Sequence, residues 1–340
     1  MTRICTSFES LNALYNKNDN KSILKAMRFI DLHCDTLWLS FKQHLEDIYD
    51  LPDTMLDVKR AKQSGELAQV FAIFMPPPER NEASNDSEYL EHCFRVFNTT
   101  IARHPDAIVM ASSGKLEAGK LNAFLSFEDG RPIDGKLENL EQYYQKGIRL
   151  ITLTWNGENC FGFPQSTNPE NMARGLKPFG KDALCRMNEL GIIVDVSHLS
   201  DGGFSDVAAL STKPFVASHS NCRALSPHRR NLTDDMIRVL AEAGGVAGLN
   251  FCPAFLNQNI ECEDSTAALI SAHAQHFIKV GGVECVAMGS DFDGISGKLE
   301  IGRVETVPCL FEQFHHDGLN DDVIEKIAWK NAQRVFNDVL

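Results

Sequence analysis

Eight short apolar runs, separated by amphipathic segments of helix length, are the feature that most limits how this chain of 340 residues can fold. Segments such as KLENLEQYYQKG and TDDMIRVLAEAG have helical spacing and end in glycine, a common helix-terminating residue. This alternation is typical of an α/β fold with a parallel sheet. The apolar runs lie at residues 29–32, 68–74, 123–127, 148–153, 192–196, 214–217, 245–250 and 285–288.

Eight strand and helix units predict a closed (β/α)8 barrel of the TIM type. A doubly wound nucleotide-binding sheet is disfavoured because the chain contains no GxGxxG or Walker sequence. The final segment, NDDVIEKIAWKNAQRVFNDVL, has apolar residues at helical spacing and predicts a C-terminal helix packed outside the barrel. Since the regular pattern begins with MRFIDLH, residues 27–340 are assigned to the barrel. Residues 1–26 are assigned to an N-terminal extension, with order and mobility both open.

Composition excludes several classes of partner and location. A formal net charge of -13, with no basic run, argues against nucleic acid, which binds clustered Lys and Arg. The ten cysteines are scattered without a CxxC pair, which favours a reducing cytoplasm over a disulfide framework. The sequence has neither the apolar core of a signal peptide nor a stretch long enough to span a membrane. We therefore expect a cytoplasmic protein without a membrane or nucleic-acid partner.

Residues able to bind a metal or move a proton follow five of the eight predicted strands. In a barrel of this kind the reacting groups lie where the strands run out into the following loops. Imidazole and carboxylate groups are ligands of divalent zinc, and a mixed set leaves coordination positions open for water. The sequence therefore predicts a metal site at one barrel mouth, from His33, Asp35, Glu128, His198, His219 and Asp291.

The spacing divides these residues into groups. His33 and Asp35 stand two positions apart, so on an extended chain both can reach one ion. His198 and His219 follow neighbouring strands, and Glu128 can give one oxygen to each of two ions. Asp291 is either a ligand or the base that takes a proton from water.

Each of these residues also has a purely structural interpretation. The histidines could cap helices or be buried with hydrogen-bond partners, and the acids could lie in turns. The acids Asp129 and Asp293 compete with Glu128 and Asp291 respectively, although both suit ordinary turn positions. The remaining histidines, including His92, His228 and His273, are interpreted as surface residues.

In this order, the pieces FIDLHCDT, FLSFEDG, VDVSHLS, SHSNCRAL, HRRNLTDD and GSDFDG resemble the renal or membrane dipeptidase family, peptidase family M19, of the amidohydrolase superfamily. The resemblance covers residues 27–340 and is to the shorter bacterial type. It implies two zinc ions, one on His33 and Asp35 and one on His198 and His219, bridged by Glu128 and a water or hydroxide. It also implies Asp291 as proton shuttle.

The resemblance further implies that Arg230, with Arg229 as the rival, binds the carboxylate of a small dipeptide, and that the chain forms a homodimer. Some family members have a histidine after the fourth strand, where this chain reads ITLTWNGEN. Trp155 at that position is expected to form a pocket wall, and the oxyanion is left to zinc or Asn156.

The implied activity is hydrolysis of dipeptides, including those with a D residue in second place. Another amidohydrolase reaction, such as lactone or amide hydrolysis or deamination, and a non-catalytic metal-binding barrel are the alternatives.

Overall fold

The structure is a computed structural model that describes residues 28–77 and 85–340. The extension predicted for residues 1–26 lies outside the described residues. The strands are β1 (Phe29–Cys34), β2 (Glu66–Phe74), β3 (Ile108–Met110), β4 (Leu121–Glu128), β5 (Ile148–Thr152), β6 (Ile193–Asp195), β7 (Val216–Ala217), β8 (Val246–Leu249), β9 (Asp264–Ser265), β10 (Val286–Met288) and β11 (Lys298–Leu299).

The α-helices begin with α1 (Thr36–Lys42), α2 (Val58–Gln63), α3 (Asp86–Arg103), α4 (Leu137–Gln145), α5 (Pro169–Met172), α6 (Pro178–Leu190) and α7 (Asp201–Leu210). They continue with α8 (Asp234–Glu242), α9 (Pro253–Leu256), α10 (Ala267–Gly281), α11 (Val307–His316), α12 (Asp321–Glu325) and α13 (Asn331–Val339). A π-helical turn, Lys326–Lys330, joins the last two, and short 3-10 turns lie at Arg131–Ile133, Val283–Cys285 and Val304–Thr306.

Eight parallel strands close into a barrel in the order β1, β2, β4, β5, β6, β7, β8, β10 and back to β1. The (β/α)8 prediction is confirmed, and each of the eight predicted runs overlaps one barrel strand. Strand β3 was not predicted. It pairs with the first residues of β4, and β5 pairs with the later residues of β4. The short strands β9 and β11 form a separate parallel pair.

The C-terminal helix covers the end of the barrel at which the strands begin. Apolar residues of every barrel strand form one buried cluster inside the ring, and the cluster includes Val335, Phe336 and Val339 of α13. The rings of Phe124 and Phe336 lie 4.4 Å apart between centroids. The predicted C-terminal helix is therefore present, and its apolar face closes the mouth opposite the loops that follow the strands.

The helices pack on the outer faces of the strands through a larger apolar cluster. Local signals place their ends: the Thr233 side chain accepts a hydrogen bond from the Met236 amide at the start of α8, and Gly191 ends α6 with φ +75°. Helix α3 begins after Asn85, whose side chain accepts from the Glu88 amide. None of the helices in the described part of the chain has the length and apolar character needed to cross a membrane.

Two glycines allow three strands to approach closely beneath the open mouth. A Cβ atom on Gly248 or on Gly289 would lie 1.9 Å from the carbonyl oxygen of Ser218. Any larger residue would push these strands apart, so glycine is needed at both positions. The residue that follows Ser218 is His219, and Asp291 comes two positions after Gly289. The close approach thus brings these two predicted site residues together.

Candidate metal centre

The predicted metal-type residues meet at the open mouth of the barrel. The side chains of His33, Glu128, His219 and Asp291 lie at or just after the ends of β1, β4, β7 and β10, and His198 follows β6. Asp35 precedes α1. All six are buried, between 0% and 9% exposed. Two of them, His198 and Asp291, have φ +66°, a left-handed conformation that is uncommon outside glycine and clusters at functional sites.

Glu128 lies between two groups of nitrogen and oxygen ligands. Its Oε1 atom is 2.9 Å from Nε2 of His198 and 3.6 Å from Nε2 of His219. Its Oε2 atom is 3.6 Å from Nε2 of His33. One carboxylate therefore offers a different oxygen to each group, as a bridging ligand in a two-metal site does.

The second group surrounds His33. Its Nε2 atom lies 3.6 Å from Oδ2 of Asp35 and 3.8 Å from Oδ1 of Asp291. Within the described residues, His33, Asp35 and Asp291 offer ligand atoms all within 4.8 Å of one another, and so do His33, Glu128 and His219.

Hydrogen bonds at Nδ1 of His198 and of His219 orient the two rings so that their Nε2 atoms face each other. The Nδ1 atom of His198 faces Oδ1 of Asn156 at 3.2 Å, and Nδ1 of His219 faces Oγ of Ser218 at 2.7 Å. The two Nε2 atoms are only 3.1 Å apart. A carbonyl oxygen can only accept, so His198 carries its proton on Nδ1 and its Nε2 is free to bind a cation.

Unpartnered buried atoms provide a further test of whether this set fits metal ions. Both ring nitrogens of His33 and the Oδ1 atom of Asp35 are buried without a hydrogen-bond partner in the described residues. Buried polar groups are normally paired, because an unpaired one costs about 1 to 3 kcal/mol. Imidazole and carboxylate are also the ligand types that divalent zinc accepts. The residues present therefore fit a bound divalent metal.

The electrostatics of the cluster lead to the same conclusion. Burial raises the pKa of Glu128 well above its usual range, and Asp35 adds to this; burial also raises the pKa of Asp291 to about 7. Burial alone would lower the pKa of His33, but Glu128 and Asp35 outweigh it and raise that pKa to about 10. The pKa values of His198 and His219 lie well below the ordinary value, because burial disfavours their charged forms. Crowded buried carboxylates of this kind are stabilised by cations.

The competing acids Asp293 and Asp129 have structural partners instead. Asp293 accepts hydrogen bonds from Thr36 Oγ1 at 2.6 Å and from the Met55 amide at 2.7 Å. Asp129, with φ +81°, accepts from Asn159 Nδ2 at 2.6 Å and from the Arg131 amide at 3.0 Å. Both are turn residues.

Asp291 keeps one oxygen directed at the cluster. Its Oδ2 atom accepts a hydrogen bond from Nδ2 of Asn250 at 2.9 Å, and its Oδ1 atom is the one near His33. The same Asn250 amide also reaches the carbonyl oxygen of His219, at 3.2 Å. Asn250 thereby fixes the orientation of the Asp291 carboxyl group.

Arg230 is buried beside the cluster, whereas Arg229 is exposed. The Nη1 atom of Arg230 donates to Ser220 Oγ at 3.2 Å and its Nη2 atom donates to the carbonyl oxygen of His219 at 3.3 Å. Its Nε is buried without a partner in the described residues. Of the two candidate arginines, Arg230 has the placement to receive an anionic group near the cluster.

Trp155 and Asn156 flank the histidine pair from the loop after β5. The Trp155 ring lies 4.9 Å from that of Phe74 and 6.0 Å from that of His198, between centroids. Trp155 is half-buried and forms an aromatic wall with Phe74. Oδ1 of Asn156 also accepts from Nε2 of Gln165 at 2.9 Å, so this oxygen is held against His198.

Some contributing residues were missed, and one interpretation was wrong. Asp195 and Ser218 lie behind His219, and Asn250 lies behind Asp291. The only signal for them in the sequence was their place near a strand end, in VDVSHLS for Asp195 and VASHSN for Ser218.

His273 is not a surface residue but is 1% exposed. Its Nδ1 accepts from the Cys222 amide at 3.1 Å, and its Nε2 faces the Leu256 carbonyl oxygen at 3.1 Å. It is therefore a satisfied core histidine.

The chain resembles proteins of one peptidase family over most of its length. A model of the membrane dipeptidase family, peptidase family M19, matches residues 17–340. The uncharacterized dipeptidase C965.12 of Schizosaccharomyces pombe is 38% identical over 221 residues, which cover 64% of this chain and 53% of that protein. The matched part thus spans about half the length of that relative.

Two solved structures share the fold. The dipeptidase AC, a metallo peptidase of family M19, is 26% identical, with a TM-score of 0.80, and the match covers 92% of this chain and 99% of that one. A metallo peptidase from Rhodobacter sphaeroides, liganded with a phosphinate mimic of the dipeptide L-Ala-D-Ala, is 24% identical with a TM-score of 0.81. That match covers 93% of this chain and 100% of the other.

Proposed function

The chain belongs to the membrane dipeptidase family, peptidase family M19, and is a metallo-dipeptidase; we propose that it uses two zinc ions to hydrolyse dipeptides, including those with a D residue in second place. The observation that carries the proposal is the Glu128 carboxylate, which offers Oε1 to His198 and His219 and Oε2 to His33. The ligand mimic of L-Ala-D-Ala in the Rhodobacter sphaeroides structure supports the stereochemical part of the proposal.

In this proposal His33 and Asp35 would hold one ion, His198 and His219 would hold the other, and Glu128 would offer an oxygen to each. Bound zinc would supply a Lewis acid for the substrate carbonyl and, with a shared water or hydroxide, the nucleophile. Asn156 and Ser218 keep the two histidines oriented. The half-buried Trp155 and the buried Phe74 form an apolar wall at which the substrate's first side chain can lose its hydration.

Asp291 moves the proton. Asn250 occupies its Oδ2, so Oδ1 takes a proton during attack on the carbonyl and gives it to the departing amine. The general base and the general acid are thus the same carboxyl group.

Arg230 limits the substrate to short peptides. A guanidinium group forms two parallel hydrogen bonds with a carboxylate. Its buried position beside the cluster fixes the distance from the substrate's carboxyl terminus to the reacting carbonyl. A dipeptide has its terminal carboxylate one residue beyond the scissile bond, so longer chains would not fit the same anchor.

A substrate and metal survey tests the proposal. Zinc-loaded protein should contain two zinc ions per chain and should hydrolyse L,L and L,D dipeptides, whereas lactones and nucleosides in the same panel should not react. Glu128→Gln should lose metal and turnover, while Glu138→Gln, the same change on an exposed helix position, should retain both. Turnover of a lactone or nucleoside alone would redirect the assignment to another amidohydrolase reaction. Well under one zinc per chain, without turnover, would favour a non-catalytic barrel.

The cytoplasmic location and the homodimer stay predictions. The described cysteines are all free, which is compatible with a reducing compartment.

A further inference from the structure

A buried carboxylate and a serine lie directly behind His219. Oγ of Ser218 is 2.6 Å from Oδ2 of Asp195 and 2.7 Å from Nδ1 of His219. Asp195 and Ser218 are both 0% exposed. We call the chain of contacts from Asp195 through Ser218 to His219 the Asp195 relay.

The direction of the hydrogen bonds in the Asp195 relay is fixed by its buried end. Asp195 accepts four hydrogen bonds: at Oδ1 from the amides of Ser197 at 2.9 Å and Ser218 at 2.8 Å, and at Oδ2 from the hydroxyls of Thr152 and Ser218, both at 2.6 Å. The Ser218 hydroxyl has only one proton and gives it to Asp195. Its oxygen can therefore only accept from His219, which places the ring proton on Nδ1.

We propose that Asp195 and Ser218 are positioning residues that hold His219 in the Nδ1–H tautomer, so that its Nε2 lone pair is always presented to the cation shared with His198. This inference rests on the proposed metal centre, but it concerns how one ion position is made rather than which substrate is cleaved. Groups behind a metal-binding histidine typically change metal affinity about 10- to 100-fold when removed.

The two ion positions differ in this respect. His198 has its own acceptor, Oδ1 of Asn156, whereas Nδ1 of His33 is buried without a partner in the described residues. The Asp195 relay therefore acts on the position formed by His198 and His219. Loss of the relay should weaken one of the two metal equivalents and leave the other as it is.

The most informative variant is Asp195→Asn, which keeps the size of the side chain. The amides of Ser197 and Ser218 require an acceptor at the Oδ1 position, so the Asn carbonyl must stay there and its NH2 group must take the Oδ2 position. That NH2 donates to the Ser218 hydroxyl, whose own proton then turns to His219 Nδ1. The metal-free ring then adopts the Nε2–H tautomer, whose Nε2 has no lone pair for a cation, so metal binding must first move that proton to Nδ1 at a cost in free energy.

The experiment is competition for zinc with a graded series of chelators, measured on metal-free protein without substrate. Asp195→Asn and Ser218→Ala should each weaken one zinc equivalent by about 10- to 100-fold, with the other unchanged. Ser271→Ala is the matched control, because Ser271 is equally buried and donates to the carboxylate of Asp317 at the same 2.6 Å, away from the site. It should bind both equivalents as the wild type does.

A spectroscopic measurement keeps the test independent of variant stability. In 15N-histidine-labelled, metal-free wild type, His219 should carry its proton on Nδ1, and in Asp195→Asn on Nε2. An Nε2–H tautomer in the wild type, or two wild-type zinc affinities in folded Asp195→Asn, would overturn the role of the relay. Failure of the dipeptide assay with both zinc affinities as expected would instead count against the proposed function alone.

Discussion

Replacement of Arg230 by lysine should weaken the preference for a free carboxyl terminus. Arg230 has five N–H donors, of which two are used by Ser220 and His219. The Nε–H is buried and unpartnered, so it and a neighbouring Nη–H can bind both oxygens of a carboxylate. Lysine keeps the positive charge beside the cluster but cannot form this pair of bonds.

The size of the effect follows from the bond that is lost. A hydrogen bond to a charged group contributes about 1.5 to 3 kcal/mol, and each 1.4 kcal/mol corresponds to about tenfold in rate. Arg230→Lys should therefore reduce kcat/KM on a free dipeptide by roughly 10- to 100-fold. On the amide of the same dipeptide, which has no carboxylate to bind, the reduction should be less than about threefold.

Wild type, Arg230→Lys and the exposed control Arg229→Lys are compared on the dipeptide and on its C-terminal amide, with zinc content measured for each. The control should behave as the wild type on both substrates. The reasoning fails if Arg230→Lys loses the same factor on the acid and on the amide, because Arg230 would then act on the metal centre or on folding rather than on the terminal carboxylate.

Three shorter predictions concern other residues. Asp291→Asn should retain both zinc ions but lose about 100- to 10,000-fold in kcat, since proton transfer is removed; near-normal kcat in a steady-state assay would refute the shuttle role. Trp155→Ala should raise KM about 3- to 10-fold for dipeptides with an aromatic first residue, with little change for Ala first; equal effects on both would argue against a pocket wall. Burial lowers the pKa of His273 in the folded protein to about 4, below its value near 6.5 in the unfolded chain, so the protein loses stability as the pH falls from 6.5 to 4. Over this range the free energy of unfolding, measured by urea titration at each pH, should fall by up to about 3 kcal/mol more in the wild type than in His273→Gln.

The sequence was sufficient to predict the barrel because its strands are buried on both faces. Strands of this kind read as continuous apolar runs, and even β7, which is only Val216–Ala217, lies within a predicted run. Strand β3 could not be predicted because it has only three residues and pairs only with the start of β4. Helix α3 carried a usable signal, with Tyr89, Cys93, Val96 and Phe97 at helical spacing, but its polar first turn resembles a loop.

The site was predictable as a set because the barrel places strand ends together whatever their distance in the chain. The preference for Glu128 over Asp129 also came from the sequence, because Asp129 suits a turn position. The structure adds the details of that turn: Asp129 has φ +81° and accepts hydrogen bonds from Asn159 and the Arg131 amide. The prediction of a surface position for His273 was wrong because its partners, the Cys222 amide and the Leu256 carbonyl, are backbone groups. No pattern of side chains in the sequence indicates such partners.

The two ends of the barrel meet opposite physical demands. At one end, Phe336 and the other apolar residues of α13 close the ring and bury apolar surface. At the other, Asp35, Glu128 and Asp291 are buried together, which costs free energy unless cations are present. Because bound ions stabilise only the folded state, metal loading must raise the midpoint of unfolding, whereas shortening Phe336 must lower it without changing metal affinity.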